Sequence, residues 1–69
     1  GIGELYKRYV VKNQLNTFRQ QHGYKDGSYI KLWDRVEDNV VAFKIMDENP
    51  SISPGGLYQK LELKYAQIS

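Results

Sequence analysis

Apolar residues recur at helical spacing in three stretches of this chain. Val11, Leu15 and Phe18 fall at i, i+4 and i+7, and no Pro or Gly interrupts the run from Glu4 to His22. The spacing predicts the longest helix over 4–22. Gly23 suits the position just past its end, where a positive φ is tolerated. His22 in the last turn complements the helix dipole. Lys25-Asp26-Gly27-Ser28 is a turn signal, and Asp-Gly would also suit a β-hairpin, but the run before it is helical. Ser28 is therefore read as the N-cap of a short helix, about 29–34, with Trp33 packed on the first helix and Lys31 facing that helix's polar stripe. A charged connection from Asp34 to Asn39 leads to a helix at 38–48, capped by Asp38 or Asn39. That helix carries Val40, Val41, Phe43 and Met46 inward, and the β-prone run 40–45 leaves a strand as the alternative. Residues 49–56 read as a loop. The last helix is placed at 57–66 on Leu57, Leu61 and Tyr65. Ser53-Pro54 offers an earlier start with Pro at the first helical position, against which Gly55-Gly56 argues. The expected fold class is all-α, a small bundle of three or four helices forming one domain or a piece of one.

A polar stripe runs beside the first apolar one. Lys12, Asn16 and Arg19 are also spaced i, i+4, i+7, rotated by about 100° from Val11, Leu15 and Phe18. They border the buried face, and Tyr24, Lys25 and Lys31 follow at the corner after Gly23. Cations, an amide and a phenol gathered in one volume suit an anionic ligand that carries a sugar or polar ring, and a nucleotide is the natural candidate. Ordinary surface cations flanking a core are the alternative. Asn16 and the corner weigh against it.

Composition narrows the choice. Sixty-nine residues without a cysteine make one domain at most, with neither disulfides nor thiolate metal sites to support a small core. A partner chain or further sequence is the expected supplement. Ten basic against eight acidic residues give a net charge of +2, too slight to argue for a nucleic-acid coat or a membrane surface. No apolar run spans a bilayer, so the expected setting is soluble and cytoplasmic. The chain opens Gly1-Ile2-Gly3 without Met or an N-cap, which suggests a piece of a longer chain or residues left by cloning. No Ser/His/Asp set, cysteine nucleophile or phosphate loop is present. His22 has no second His, Cys or spaced carboxylate to join it. Glu37-Asp38 and Asp47-Glu48 are adjacent pairs whose side chains diverge by about 100° on a helix, so neither makes a metal clamp. If such a chain binds a nucleotide, it is expected to position and neutralise the phosphates without activating the water.

The segment from Tyr9 to Trp33, containing Lys12-Asn-x-x-Leu-Asn-x-Phe-Arg19 and Gly23-Tyr-Lys-x-Gly-x-Tyr-x-Lys-x-Trp33, followed by Glu37-Asp38-Asn39, resembles the C-terminal nucleotide-binding motifs of the dimeric, all-α dUTPases. The resemblance covers about residues 4–48. That family, within the all-α NTP pyrophosphatase superfamily, converts dUTP to dUMP and pyrophosphate with Mg²⁺. Its metal is held by Glu-x-x-Glu and Glu-x-x-Asp motifs earlier in the sequence, which have no counterpart here. The resemblance implies phosphate contacts from Lys12, Arg19 and Lys31, with Lys25 as a further phosphate neighbour. It implies that Asn16 holds the sugar 3′-hydroxyl and that Tyr24 stacks on the sugar and disfavours a 2′-hydroxyl. The implied partners are a deoxyuridine nucleotide and a metal-binding half or second subunit, in a homo-oligomer. No membrane is implied. A nucleotide- or partner-binding module without catalysis is the alternative function, and a nucleic-acid binder ranks last. Asp34-Arg35 departs from the family, which tends to place Gly after the Trp.

Overall fold

The computed structural model describes residues 1–69, the side chain of Ile2 excepted. Its elements are α1 (Ile2–Gln21), β1 (Leu32–Trp33), β2 (Val36–Glu37), α2 (Asp38–Glu48) and α3 (Pro54–Ile68). The expected helical bundle is present as three helices, with a two-stranded antiparallel hairpin beside them. Helix α2 has the predicted bounds, and the strand alternative for 40–45 is excluded. Helix α3 begins at Pro54, earlier than the expected 57. Ser53 caps it by accepting the Gly56 N–H, so Gly55-Gly56 is carried inside the first turn.

The predicted helix at 29–34 does not form. Residues 28–31 are irregular, and Leu32–Trp33 pairs with Val36–Glu37. The backbone there finds tertiary partners in place of a helical ladder. The Ile30 N–H donates to the Tyr65 hydroxyl at 2.9 Å, the Ile30 carbonyl accepts from Trp33 Nε1 at 2.7 Å, and the Lys31 carbonyl accepts the Asp38 N–H at 3.0 Å. Ser28 caps no helix: its amide and hydroxyl both donate to Asp26 Oδ1, closing the turn. Two residues, Asp34 and Arg35, join the strands with φ of 54° and 73°. Both central positions of this tight turn are left-handed, the geometry whose twist suits a hairpin and which glycine or asparagine adopts most readily.

The core gathers on Phe18. Its ring stacks on His22 at 3.8 Å and meets the edges or tilted faces of Tyr29, Trp33, Tyr58 and Tyr65 at 5.4–6.3 Å. Val11, Leu15, Leu57 and Leu61 are buried as the spacing predicted, and Trp33 packs on α1 as expected. On α2 the inward set differs. Ala42, Ile45 and Met46 are buried, Val41 and Phe43 only partly, and Val40 is exposed. Its stripe is rotated because Asp38, and not Val40, is the residue held inside at the start of the helix.

Helix α1 outruns the body. The molecule is 36 Å along its longest axis and 19–21 Å across, and a 20-residue helix is about 30 Å long. Burial begins only at Val10, leaving Leu5, Tyr6 and Tyr9 more than half exposed on the side away from the core. Lys7 pins this arm to the end of α2 through Asp47. With Arg19 held at the start of α2, α1 and α2 run antiparallel.

Replacing Arg35 by glycine relieves one left-handed L-residue. Arg35→Gly is expected to stabilise the fold by about 0.5–1 kcal/mol, a rise of roughly 2–8 °C in Tm. Thermal unfolding followed by circular dichroism measures it, and an unchanged or lower Tm contradicts strain at the turn.

Candidate functional site

The corner after α1 is built by its C-terminal cap. His22 ends the helix and Gly23 takes φ of +92°. The Tyr24 N–H then donates back to the Arg19 carbonyl at 3.1 Å, the long-range bond of a Schellman cap. This cap brings residues five apart side by side: the Arg19 guanidinium lies 5.9 Å from the centre of the Tyr24 ring, within cation–π range. The position admits no larger residue. A Cβ on Gly23 would come within 1.9 Å of the Ser28 hydroxyl oxygen.

Arg19 is anchored from its other side. Nε and Nη2 donate to the two oxygens of Asp38, each at 2.8 Å, and the Tyr29 hydroxyl donates to Asp38 at 2.7 Å. Asp38 is 0% exposed, the one fully buried charged side chain among the described residues. Burial alone would raise its pKa. The hydrogen bonds from Arg19 and Tyr29 outweigh that and hold its carboxyl below the ordinary range. The same contact raises the Arg19 pKa, while burial followed by the Asp38 contact pushes the Tyr29 phenol up. A place in the first turn of α2 adds the favourable end of the helix dipole. Asp38 spends one edge of the guanidinium. Among the described residues, the edge formed by Nη1 and the second N–H of Nη2 makes no hydrogen bond.

The other expected site residues stand as follows. Lys12 and Asn16 are exposed on α1, and they continue one line of the helix from Leu5 and Tyr9 to Arg19. Lys12 is about 10 Å along the axis from Arg19. Lys31 is brought to the corner by its backbone, through the carbonyl that accepts from Asp38, and its side chain is exposed. Lys25 is exposed in the turn, and among the described residues no hydrogen bond or ion pair ties it to the others. Arg19 and Tyr24 are therefore in contact, Lys12 and Asn16 are aligned with them, Lys31 is adjacent through the main chain, and Lys25 is left loose. From sequence, Asp38 is a candidate helix cap and half of an adjacent carboxylate pair, and Tyr29 has no role at the site; in the structure Glu37 is the N-cap and Asp38 lies inside the first turn. Charge at a helix start is a common cap, and nothing local in sequence links Asp38 to an arginine 19 residues earlier.

Among the described residues, no three His, Cys, Asp or Glu side chains gather as a metal site would need. Asp38, the one buried carboxylate, is already saturated. The residues present therefore do not fit Mg²⁺, and no step through it is assigned to this chain. His22 stacks on Phe18, and its Nδ1 lies 2.8 Å from the Phe18 carbonyl, so that nitrogen carries the proton. This is a packing role.

A concavity lies elsewhere. It is an open groove of about 1120 Å³ between the hairpin, α2 and the end of α3, and none of the six expected site residues lines it. Among the described residues no helix is long and apolar enough to cross a membrane. Comparison of the chain with protein-family models, curated proteins and solved structures gives no match.

Arg19→Ala strands a buried carboxylate and is expected to cost about 3 kcal/mol, whereas Lys12→Ala stays within about 0.5 kcal/mol. Urea unfolding compares them; equal midpoints would refute a structural role for the pair. The lowered Asp38 pKa fixes the sign with pH. Its contribution is complete above the unfolded carboxyl pKa of about 4 and fades as pH falls through the lower folded value. Stability contributed by this group should be level from pH 5 to 7 and decline below about pH 4, read from midpoints across that range.

Proposed function

We propose that the Lys12–Asn16–Arg19 edge, with Tyr24 and Lys31, binds the phosphate and sugar of a deoxyuridine nucleotide. In this reading the chain is the nucleotide-binding part of a dUTP diphosphatase whose magnesium-binding carboxylates come from other sequence. The observation that carries it is the contact between Arg19 and Tyr24, a guanidinium held rigid by Asp38 beside an exposed phenol ring. Asp38 cancels the charge of Arg19 but leaves a two-pronged N–H edge without a partner among the described residues. Arg19 then supplies direction, and Lys12 and Lys31 supply the charge that balances a polyphosphate. Asn16, one turn before Arg19, stands where an amide meets a sugar hydroxyl between them. Lys25 joins as a mobile counter-charge. The family resemblance supports the choice of dUTP and of deoxyribose; the geometry supports an anion beside a ring.

The paired carboxylate of Asp38 favours binding without hydrolysis by this chain alone, which is also the second reading, a nucleotide-binding module.

Calorimetric titration with dUMP, dUTP and UTP tests the proposal, alongside an Mg²⁺-dependent pyrophosphate assay. Binding of dUTP in preference to UTP, without turnover, is expected. Lys12→Ala and Lys31→Ala should each weaken dUTP by about 1.5–3 kcal/mol, and Asn16→Ala by about 1 kcal/mol. Absence of dUTP binding, or both lysine variants binding like the parent, would remove the site. Rapid turnover would remove the claim that the metal half lies elsewhere.

A further inference from the structure

A guanidinium can meet a carboxylate through either of two edges, each with two parallel N–H···O bonds: the side edge of Nε and Nη2, or the end edge of Nη1 and Nη2. Arg19 uses its side edge. Nε donates to Asp38 Oδ2 and Nη2 to Asp38 Oδ1, each at 2.8 Å. The choice decides which edge is left over. Paired side-on, Arg19 keeps the end edge, at the tip of the side chain. Paired end-on, it would keep the side edge, set back along the shaft.

Nothing in the ion pair itself makes that choice, and Tyr29 supplies what is missing. Its hydroxyl donates at 2.7 Å to Oδ2, the same oxygen that accepts from Arg19 Nε. The ring that carries the hydroxyl is fixed in turn. It stacks on Tyr65 at 5.5 Å with 7° between the planes, and it stands edge-on to Phe18 at 6.3 Å. The next amide, Ile30 N–H, is tied to the Tyr65 hydroxyl. Tyr29 therefore cannot follow a carboxylate that turns towards the guanidinium tip. Such a turn would leave a half-buried O–H without its acceptor.

We propose that Tyr29 is the positioning residue of this corner: its hydroxyl pins Asp38 in the side-on register and so reserves the end edge of Arg19 for two phosphate oxygens beside Tyr24. The phosphate in that statement rests on the nucleotide reading, whereas the register is a property of the chain alone. The Tyr29 ring has a second role. It meets the Tyr24 ring at 6.1 Å, and Tyr24 lies 5.9 Å from the Arg19 guanidinium, so Arg19, Asp38, Tyr29 and Tyr24 close a loop of contacts. Hydroxyl and ring are separable, because Tyr29→Phe removes the first and keeps the second.

The arginine Nε–H signals in ¹H–¹⁵N correlation spectra of the full chain, without nucleotide, read the register. The Arg19 Nε–H is expected to be protected from exchange with water. Tyr29→Phe should speed that exchange at least about tenfold. Ile45→Val, a core change away from the pair, controls for lost stability and should leave the rate within about twofold. An unchanged rate in Tyr29→Phe, or an equal rise in Ile45→Val, overturns the register. Calorimetric titration with dUTP reads the consequence. Tyr29→Phe should raise Kd about tenfold and Ile45→Val should leave it unchanged. A Tyr29→Phe chain that binds dUTP as tightly as the parent overturns the positioning role. Absence of dUTP binding by the parent removes the nucleotide reading, and the register then stands or falls on the exchange rates.

Discussion

A carboxylate without access to solvent joins α1, the segment before the hairpin and α2, and the guanidinium that answers it orients the elements around it. Burying Asp38 is unfavourable by itself. Two N–H groups from Arg19 on α1 and a phenol from Tyr29 before the hairpin offset that cost, and all three meet on α2 at Asp38. The pair also sets the rotation of α2. With Asp38 turned inward, Ala42, Ile45 and Met46 follow it into the core and Val40 is turned out. The outward face of α2 that results is a wall of the groove.

How much of this was legible depends on range. Periodicity found α1, α2 and α3, since each has an apolar stripe of its own, although only α3 of the three has a side-chain cap at its start. It found Val11, Leu15 and Phe18 in the core of α1 and missed Val10, which is buried beside them. It failed at 29–34, where Tyr29 and Trp33 are spaced equally well for a helix or for a bent extended segment. The outcome there is decided by the Tyr65 hydroxyl and the Trp33 indole, which satisfy the backbone of Ile30 from a distance. It failed also at Val40, which is apolar by type but is displaced by an acidic neighbour that no hydropathy pattern sends inside. The expected ligand residues were legible as a stripe on α1. Their relation to Tyr24 follows from the glycine cap, which the sequence announced at Gly23. The anchoring of Arg19 was not legible, because a long-range ion pair leaves no periodic mark.

The surface divides its labour along α1. One line of that helix passes from Leu5 and Tyr9 to Lys12, Asn16 and Arg19, apolar at the projecting end and polar at the anchored end. At the anchored end Arg19 is oriented by Asp38 and presents a fixed hydrogen-bonding geometry. Beyond it, nothing but the helix holds them, and what they offer is area. A rigid polar corner suits a small charged ligand, and a projecting apolar face suits a macromolecular surface.

The hairpin runs into α2 without a linker. Glu37 is both the last residue of β2 and the cap of the helix, and the next amide is bonded back to Lys31. Strand pair and helix are therefore a single lever, with its tip at Asp34-Arg35 and its fulcrum at the first turn of α2. The path from the tip to the carboxylate that aims Arg19 is thus four residues of chain with no slack between strand and helix.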